Sequence, residues 1–294
     1  MGKTKVGFVG VGDQGGPMAR NLVKNGFGLI VRDLRDAALE PFRQSGVEIA
    51  DSLVQLATQS DAVAVCVLND GHVRSVVFGD DGLLPAMRSG QLLILHSTVA
   101  PDLAIEIAKA AAAKGIDFVD APVSGSRQAR EEGRLTVFCG AEPEAFARAR
   151  PILDAVGDGI KLLGGPGAGQ VCKLCNNLML YCNTLAAFEA ARLAEAYGLA
   201  ETTMVEMTSR STGGSYVLQQ WGSTDRLMEE HPLAGDEAAL FAFLEKDLHL
   251  AAEAGGAREL QLPMTVSAIA AMNAALSERK ALNRRRRTTA SPTA

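Results

Sequence analysis

The tightest constraint on this chain is a hexapeptide near its start, Gly10-Val11-Gly12-Asp13-Gln14-Gly15. It matches G-x-G-x-x-G, follows the apolar run Val6–Gly10, and opens a helical pattern over Gly15–Asn25. Each glycine answers a separate steric demand: a tight turn, approach of a pyrophosphate to bare backbone, and close packing of helix on strand. The helix then aims its N-terminal amides and positive dipole end at the anion. A second apolar run, Leu29–Asp33, ends in a carboxylate about twenty residues on, where the fingerprint needs an acceptor for ribose hydroxyls. Gly10, Val11, Gly12, Asp13, Gln14, Gly15 and Asp33 are therefore expected to bind a dinucleotide. A carboxylate at Asp33 would repel a 2′-phosphate, which favours NAD over NADP. Arg32 and Arg35 flank it and can accommodate a phosphate, so NADP stays open, and Asp33 also fits a simple turn acid. Asp13 is unusual beside a pyrophosphate; its side chain is expected to point to solvent.

Beyond the loop, short β-rich runs alternate with helical patterns. Strands are predicted at Val6–Gly10, Leu29–Asp33, Ala62–Leu68, Leu92–His96, Asp117–Val123, Thr136–Gly140 and Ile160–Leu163, with helices at Gly15–Asn25, Ala37–Ser45, Asp102–Lys114 and Pro143–Val156. Continuous apolar strands alternating with helices imply an α/β fold, a mostly parallel sheet covered on both faces. After Gly164-Gly165-Pro166-Gly167 the pattern turns helical, with a long stretch at Ala168–Tyr197 and others at Glu201–Ser209, Ala238–Ala254 and Pro263–Leu276. The seam is expected there, dividing residues 1–164 from residues 165–294. Residues 284–294, four arginines leading into a Thr/Ser/Pro tail, read as a solvated, frayed end.

Composition then excludes several classes. With 47% apolar and 21% charged residues, the 294-residue chain has ordinary globular composition. Its 29 basic against 34 acidic residues give a net charge of -5, the wrong sign for a nucleic-acid binder. The longest apolar run, Ala62–Leu68, is far short of the ~20 residues that a spanning helix needs, so no membrane partner is expected. Five cysteines, an odd number in mostly apolar contexts, suit a reduced, cytoplasmic setting. The four histidines show no metal-ligand spacing, and no G-x-S-x-G elbow points to a serine hydrolase.

The long helix opens Gly167-Ala168-Gly169-Gln170-Val171-Cys172-Lys173-Leu174-Cys175-Asn176-Asn177. Lys173 and Asn177, four apart, share a face and can converge on one small group. A desolvated lysine is a competent general base or acid, and an asparagine can fix a substrate hydroxyl. A surface lysine with a packing asparagine satisfies the same spacing. Cys172 and Cys175 straddle the lysine in mid-helix without a second ligand pair, which reads as packing rather than redox or zinc chemistry.

Together these residues resemble the β-hydroxyacid dehydrogenases, the group that includes 3-hydroxyisobutyrate dehydrogenase and tartronate semialdehyde reductase. Four blocks match in order: Gly7–Gly12 running on through Gly15–Leu22; Asp120-Ala121-Pro122-Val123-Ser124-Gly125-Ser126; Gly167–Asn177; and Lys246-Asp247-Leu248. The resemblance implies an N-terminal Rossmann doubly wound domain followed by an all-α C-terminal domain, joined by the long interdomain helix. That helix would also build a homodimer or homotetramer, and the substrate would sit between the domains. By the same resemblance Lys173 and Asn177 are the catalytic pair, and Ser124, Gly125 and Ser126 hold a substrate carboxylate. Leu68, Asn69, Thr98 and Lys246 would join the cofactor contacts; Ser97-Thr98 also fits a helix cap ahead of Pro101. Departures from the family pattern are Gln14 where methionine is usual, His96 where Asp is frequent, Ser126 where a second glycine is common, and Asn69-Asp70 in place of a proline.

The expected reaction is hydride transfer between NAD(P) and a small hydroxy acid or its semialdehyde or keto form, with lysine as general acid/base. An imine reductase uses a similar scaffold but generally lacks the lysine. A catalytically silent dinucleotide-binding module would lose it too, and would carry extra domains. Tyr216, Trp221 and Phe243 read as core packing.

Overall fold

The sheet is built first from strands buried on both faces. In the computed structural model, which describes residues 3–290, the chain runs β1 (Lys5–Val9), α1 (Gly15–Lys24), β2 (Gly28–Arg32), α2 (Asp36–Gln44), β3 (Glu48–Ile49), α3 (Leu53–Thr58), β4 (Ala62–Val65), α4 (Asp70–Phe78), α5 (Leu83–Ala86) and β5 (Leu92–Leu95). It continues through α6 (Pro101–Ala112), β6 (Asp117–Asp120), β7 (Val123–Ser124), α7 (Arg127–Glu131), β8 (Leu135–Ala141), α8 (Pro143–Leu153) and β9 (Gly157–Gly164). The strand order is β3-β2-β1-β4-β5-β6-β8-β7, with β9 on β8. Pairing from β3 to β6 is parallel throughout, and β8 runs antiparallel to β6 and β7.

Alternate strand residues supply the two cores. Val6, Phe8, Leu29, Val31, Ala62, Ala64, Leu92 and Ile94 face one cluster, and Val9, Ile30, Val63, Val65, Leu93 and Leu95 face the other. This is why the strands read as unbroken apolar runs: helices cover both sides. The order reverses between β1 and β4, so the carboxyl ends of those strands frame the crevice where α/β sheets take ligands.

The expected strand over Asp117–Val123 is two strands. Pro122 has no N–H to give a ladder, and beyond it β7 pairs with β8 alone. Strand β3 and helices α3, α4, α5 and α7 were not expected: β3, α3, α5 and α7 are too brief to show a hydrophobic period, and α4 buries only Val73 and Val77.

The remainder is helical: α9 (Ala168–Ala196), α10 (Glu201–Ser209), α11 (Tyr216–Gln219), α12 (Ser223–Glu230), α13 (Glu237–Gly256) and α14 (Pro263–Ala290). The chain divides into two compact units, Met1–Lys173 and Leu174–Ala294. That division falls inside α9, whose start is hydrogen-bonded to Asp120 at the end of β6. In the second unit Leu185, Phe188, Leu240, Leu244, Leu248, Met272 and Leu276 form the main core. Phe188 meets Trp221 edge-on at 5.9 Å between centroids, whereas Tyr216, expected in the core, is 52% exposed. The tail expected from Arg284 overlaps the last helix. Helix α14 continues to Ala290, because no Pro or Gly interrupts it and Arg286 is tied to Glu195 and Glu201. Residues 291–294 of that expected tail lie outside the described residues. Among the described residues, no helix is long and apolar enough to cross a membrane.

Candidate active site

The glycine loop is built as its sequence requires. Gly10 takes φ +87°, and a Cβ there would collide with the Cys66 carbonyl. A Cβ on Gly15 would strike the Gly10 carbonyl, so α1 can start this close to β1 only with glycine. A Cβ on Gly12 would meet only the flexible end of Arg35, whose guanidinium lies over that face of the loop. No side chain caps the start of α1; Gly16 N–H is held by the Gly12 carbonyl at 2.8 Å, and Pro17 has no N–H to offer. These features fit a dinucleotide pyrophosphate.

Asp33 stands at the end of β2, but its carboxylate is already engaged. Oδ2 accepts from Val11 N–H at 2.9 Å and Oδ1 from Arg35 N–H at 2.9 Å. It therefore braces the loop and the β2–α2 turn, and only its remaining lone pairs are left for a ribose. Asp13 does not simply face solvent: its Oδ2 accepts from Arg130 Nη1 at 3.0 Å, and Gln14 Oε1 accepts from the same nitrogen at 3.2 Å.

The other strand ends of the first unit converge on the same edge. After β4, Leu68 is exposed, and Asn69 caps α4 by accepting from His72 N–H at 2.9 Å. Asp70 accepts from Ala100 N–H at 3.1 Å, and Ser97 Oγ accepts from Val67 N–H at 2.8 Å. Asp70 and Ser97 thus fasten the β4 and β5 loops together, with half-buried Thr98 between Ser97 and Val99. After β6, half-buried Ser124 ends β7, Gly125 is exposed, and Ser126 Oγ accepts from Ala129 N–H at 3.1 Å as the cap of α7.

The start of α9 is locked to these loops. Asp120, fully buried at the end of β6, accepts from Gly167 N–H at 2.8 Å and Gln170 N–H at 2.9 Å. Burial pushes its carboxyl up to about 6 despite those amide bonds. The buried Gln170 side chain accepts from Val99 N–H and donates to the Ser97 carbonyl, each at 3.0 Å. One turn into the helix, Lys173 is half-buried. Beneath the β5 loop, His96 Nδ1 lies 2.8 Å from the Ala121 carbonyl, and burial pulls its pKa down to about 4 against that bond.

A second cluster lies in the helical unit. Asn177, 4% exposed, donates through Nδ2 to Asp247 Oδ2 and accepts at Oδ1 from Asn176 Nδ2 at 2.9 Å. Because a carboxylate can only accept, Asp247 fixes which way the Asn177 amide points. Lys246 Nζ donates to Asp247 Oδ1 at 2.6 Å. Asp247, Asp120, Gln170 and Arg130 are the supporting residues that sequence reasoning did not single out. Asp120, Gln170 and Asp247 lie within the matching blocks but were given no role there, and Arg130 lies outside them. Among the described residues, no cluster of three or more His, Cys, Asp or Glu is placed to hold a metal ion.

Comparison with known proteins agrees with this architecture. Residues 5–165 match the NAD binding domain of 6-phosphogluconate dehydrogenase, and residues 167–286 match the NAD-binding domain of NADP-dependent 3-hydroxyisobutyrate dehydrogenase. The chain is 38% identical to 2-(hydroxymethyl)glutarate dehydrogenase of Eubacterium barkeri, covering 90% of this chain and 86% of that protein. It is 37% identical to a 3-hydroxyisobutyrate dehydrogenase of Pseudomonas aeruginosa, covering 89% and 88%. The crystal structure of 3-hydroxyisobutyrate dehydrogenase from Salmonella typhimurium superposes with a TM-score of 0.79 at 29% identity, covering 92% of this chain and 94% of that one.

Proposed function

Because the chain belongs to the β-hydroxyacid dehydrogenase family, we propose that it interconverts a small 3-hydroxy acid and the matching semialdehyde or keto acid, with NAD or NADP. The observation that carries this reading is the anchoring of the Lys173 helix turn, through Asp120 and Gln170, to the loops after β5 and β6.

Ser124 and Gly125 offer a hydroxyl and backbone amides to the substrate carboxylate. Ser126 assists with its hydroxyl proton, since its oxygen already caps α7. The Lys173 amine takes the hydroxyl proton in oxidation and returns it in reduction. Asn177, one turn further along α9 with its amide set by Asp247, orients the hydroxyl. When bound on the Gly10–Gly15 loop, the nicotinamide dinucleotide supplies the hydride acceptor or donor. Asp33, Leu68, Asn69, Thr98 and Lys246 complete the proposed cofactor contacts. Asp33 favours NAD, and the neighbouring Arg35 keeps NADP in play. We place the enzyme in the cytoplasm, a setting supported by its five free cysteines, and as a homodimer or homotetramer. The exposed Val171, Met179 and Leu193 of α9 support self-association.

The test is steady-state turnover of a panel of hydroxy acids and semialdehydes with both cofactors, wild type against Lys173→Ala. The lysine should be worth roughly 10²–10⁴-fold in kcat while dinucleotide affinity holds. Near-wild-type turnover by the variant would sink the assignment. Reduction of cyclic imines without oxidation of any hydroxy acid would favour an imine reductase instead.

A further inference from the structure

The acid inside the phosphate loop needs an explanation. A pyrophosphate carries negative charge, and Asp13 puts a carboxylate, half exposed, on the same turn. Unit charges a few ångströms apart near a protein surface repel by an amount that would weaken binding severalfold or more.

Arg130 is placed to cancel that charge. It lies on α7, immediately past the Ser124–Ser126 segment, and only 11% of its side chain is exposed. One nitrogen, Nη1, bridges the two central loop residues, at 3.0 Å from Asp13 Oδ2 and 3.2 Å from Gln14 Oε1. Its own position is fixed by α1, because Asn21 Nδ2 donates to the Arg130 carbonyl at 3.1 Å. Arg20 adds a second tie between these elements through Glu131 Oε2, at 3.0 Å. The Arg130 guanidinium is largely withdrawn from solvent beside the loop. Nε is buried with no hydrogen-bond partner. A buried guanidinium N–H without an acceptor is costly, so this arginine is held in place for its charge rather than for good packing.

We propose that Arg130 is a positioning residue for the dinucleotide: it neutralises Asp13 so that the phosphates can settle on the loop, and it ties that loop to the substrate-carboxylate segment. This rests on the reading that Gly10–Gly15 holds the dinucleotide phosphates. It also accounts for Gln14, one of the departures from the family pattern, as the second acceptor of the same guanidinium.

Isothermal titration of NAD and NADP into the full-length wild type, Arg130→Met, Asp13→Asn and the double variant tests the inference, with KM and kcat measured alongside. Methionine keeps much of the aliphatic stem and removes the charge. Arg130→Met should weaken dinucleotide binding roughly tenfold at low salt and less at high salt, with the loss falling on KM more than on kcat. Asp13→Asn should tighten binding, and the double variant should recover most of the loss. A purely structural role would lower thermal stability but give no rescue by Asp13→Asn. Failure of that rescue, or wild-type affinity in Arg130→Met, would overturn the proposal. The loop reading has its own control in Gly12→Ala, where the added methyl meets only the flexible Arg35 end. If Gly12→Ala binds dinucleotide like the wild type, or the wild type binds neither dinucleotide, it is the loop reading that fails.

Discussion

Two buried titratable residues sit on neighbouring strand ends and pull stability in opposite directions with pH. Asp120 is raised from 3.8 to about 6, so its contribution is whole below its unfolded value and fades as pH rises through about 6. His96 is lowered from 6.5 to about 4, so its contribution is whole above its unfolded value and is lost as pH falls through about 4. Across the interval between, the two slopes oppose each other and flatten the wild-type profile. Replacing His96 with Phe, which can keep the stacking on Phe8 seen at 6.2 Å, removes one of them. Urea denaturation from about pH 4.5 to 6.5 should then show stability declining as pH rises. A variant curve parallel to the wild type would refute the assignment. The sequence showed His96 only as a departure from a family pattern. Its neutrality comes from burial, which outweighs a hydrogen bond to a carbonyl 25 residues away, and no local pattern encodes either one.

At the scale of the element, α9 shows both what sequence can reveal and what it conceals. Its extent was legible because nothing after Gly169 breaks a helix until Gly198, and the predicted span differs from the observed one by a single residue. Its anchoring was not legible, since Asp120 caps it from 47 positions upstream. Sequence could place Lys173 on a helix but could not show what pins that helix to the sheet. Asp120→Ala leaves the Gly167 and Gln170 amides buried without an acceptor, at a cost of about 1–3 kcal/mol. It should also lower kcat by loosening the Lys173 turn, whereas Asp120→Asn, which keeps one acceptor, should lose less of both. Denaturant midpoints and turnover measured on the same preparations would check this; a stable Asp120→Ala with full activity would contradict it. Likewise Ser126 and Asn69 were read as ligand-facing, and each proves also to cap a helix too short to announce itself.

For the molecule as a whole, the net charge of -5 conceals how its cations are placed. In the helical unit Arg279, 6% exposed, bonds Glu201 at 2.7 Å and Asp225 at 2.7 Å, and lies 5.0 Å over the Trp221 ring. Burial resists ionisation of Glu201, but hydrogen bonds from Arg279, Arg286 and Trp221 prevail and hold its carboxyl at about 2. This network joins α10, α12 and α14 to the Trp221 turn, and Arg286 extends it through Glu201 and Glu195. Removing one partner of such a buried set costs about 3–5 kcal/mol, because the remaining charges stay buried. Arg279→Met should therefore lower the denaturant midpoint sharply, followed by the fluorescence of Trp221, the chain's one tryptophan. An unchanged midpoint would mean that the network is dispensable.

The division of the chain inside α9 has a further consequence. Lys173 closes one compact unit and Leu174 opens the next, yet both belong to one uninterrupted helix. An insertion or deletion of one residue between Lys173 and Asn177 would carry Asn177 about 100° around the helix, off the face it shares with Lys173. The last side chain of one unit and the fourth of the next thus stay neighbours only while the helix between them keeps its length.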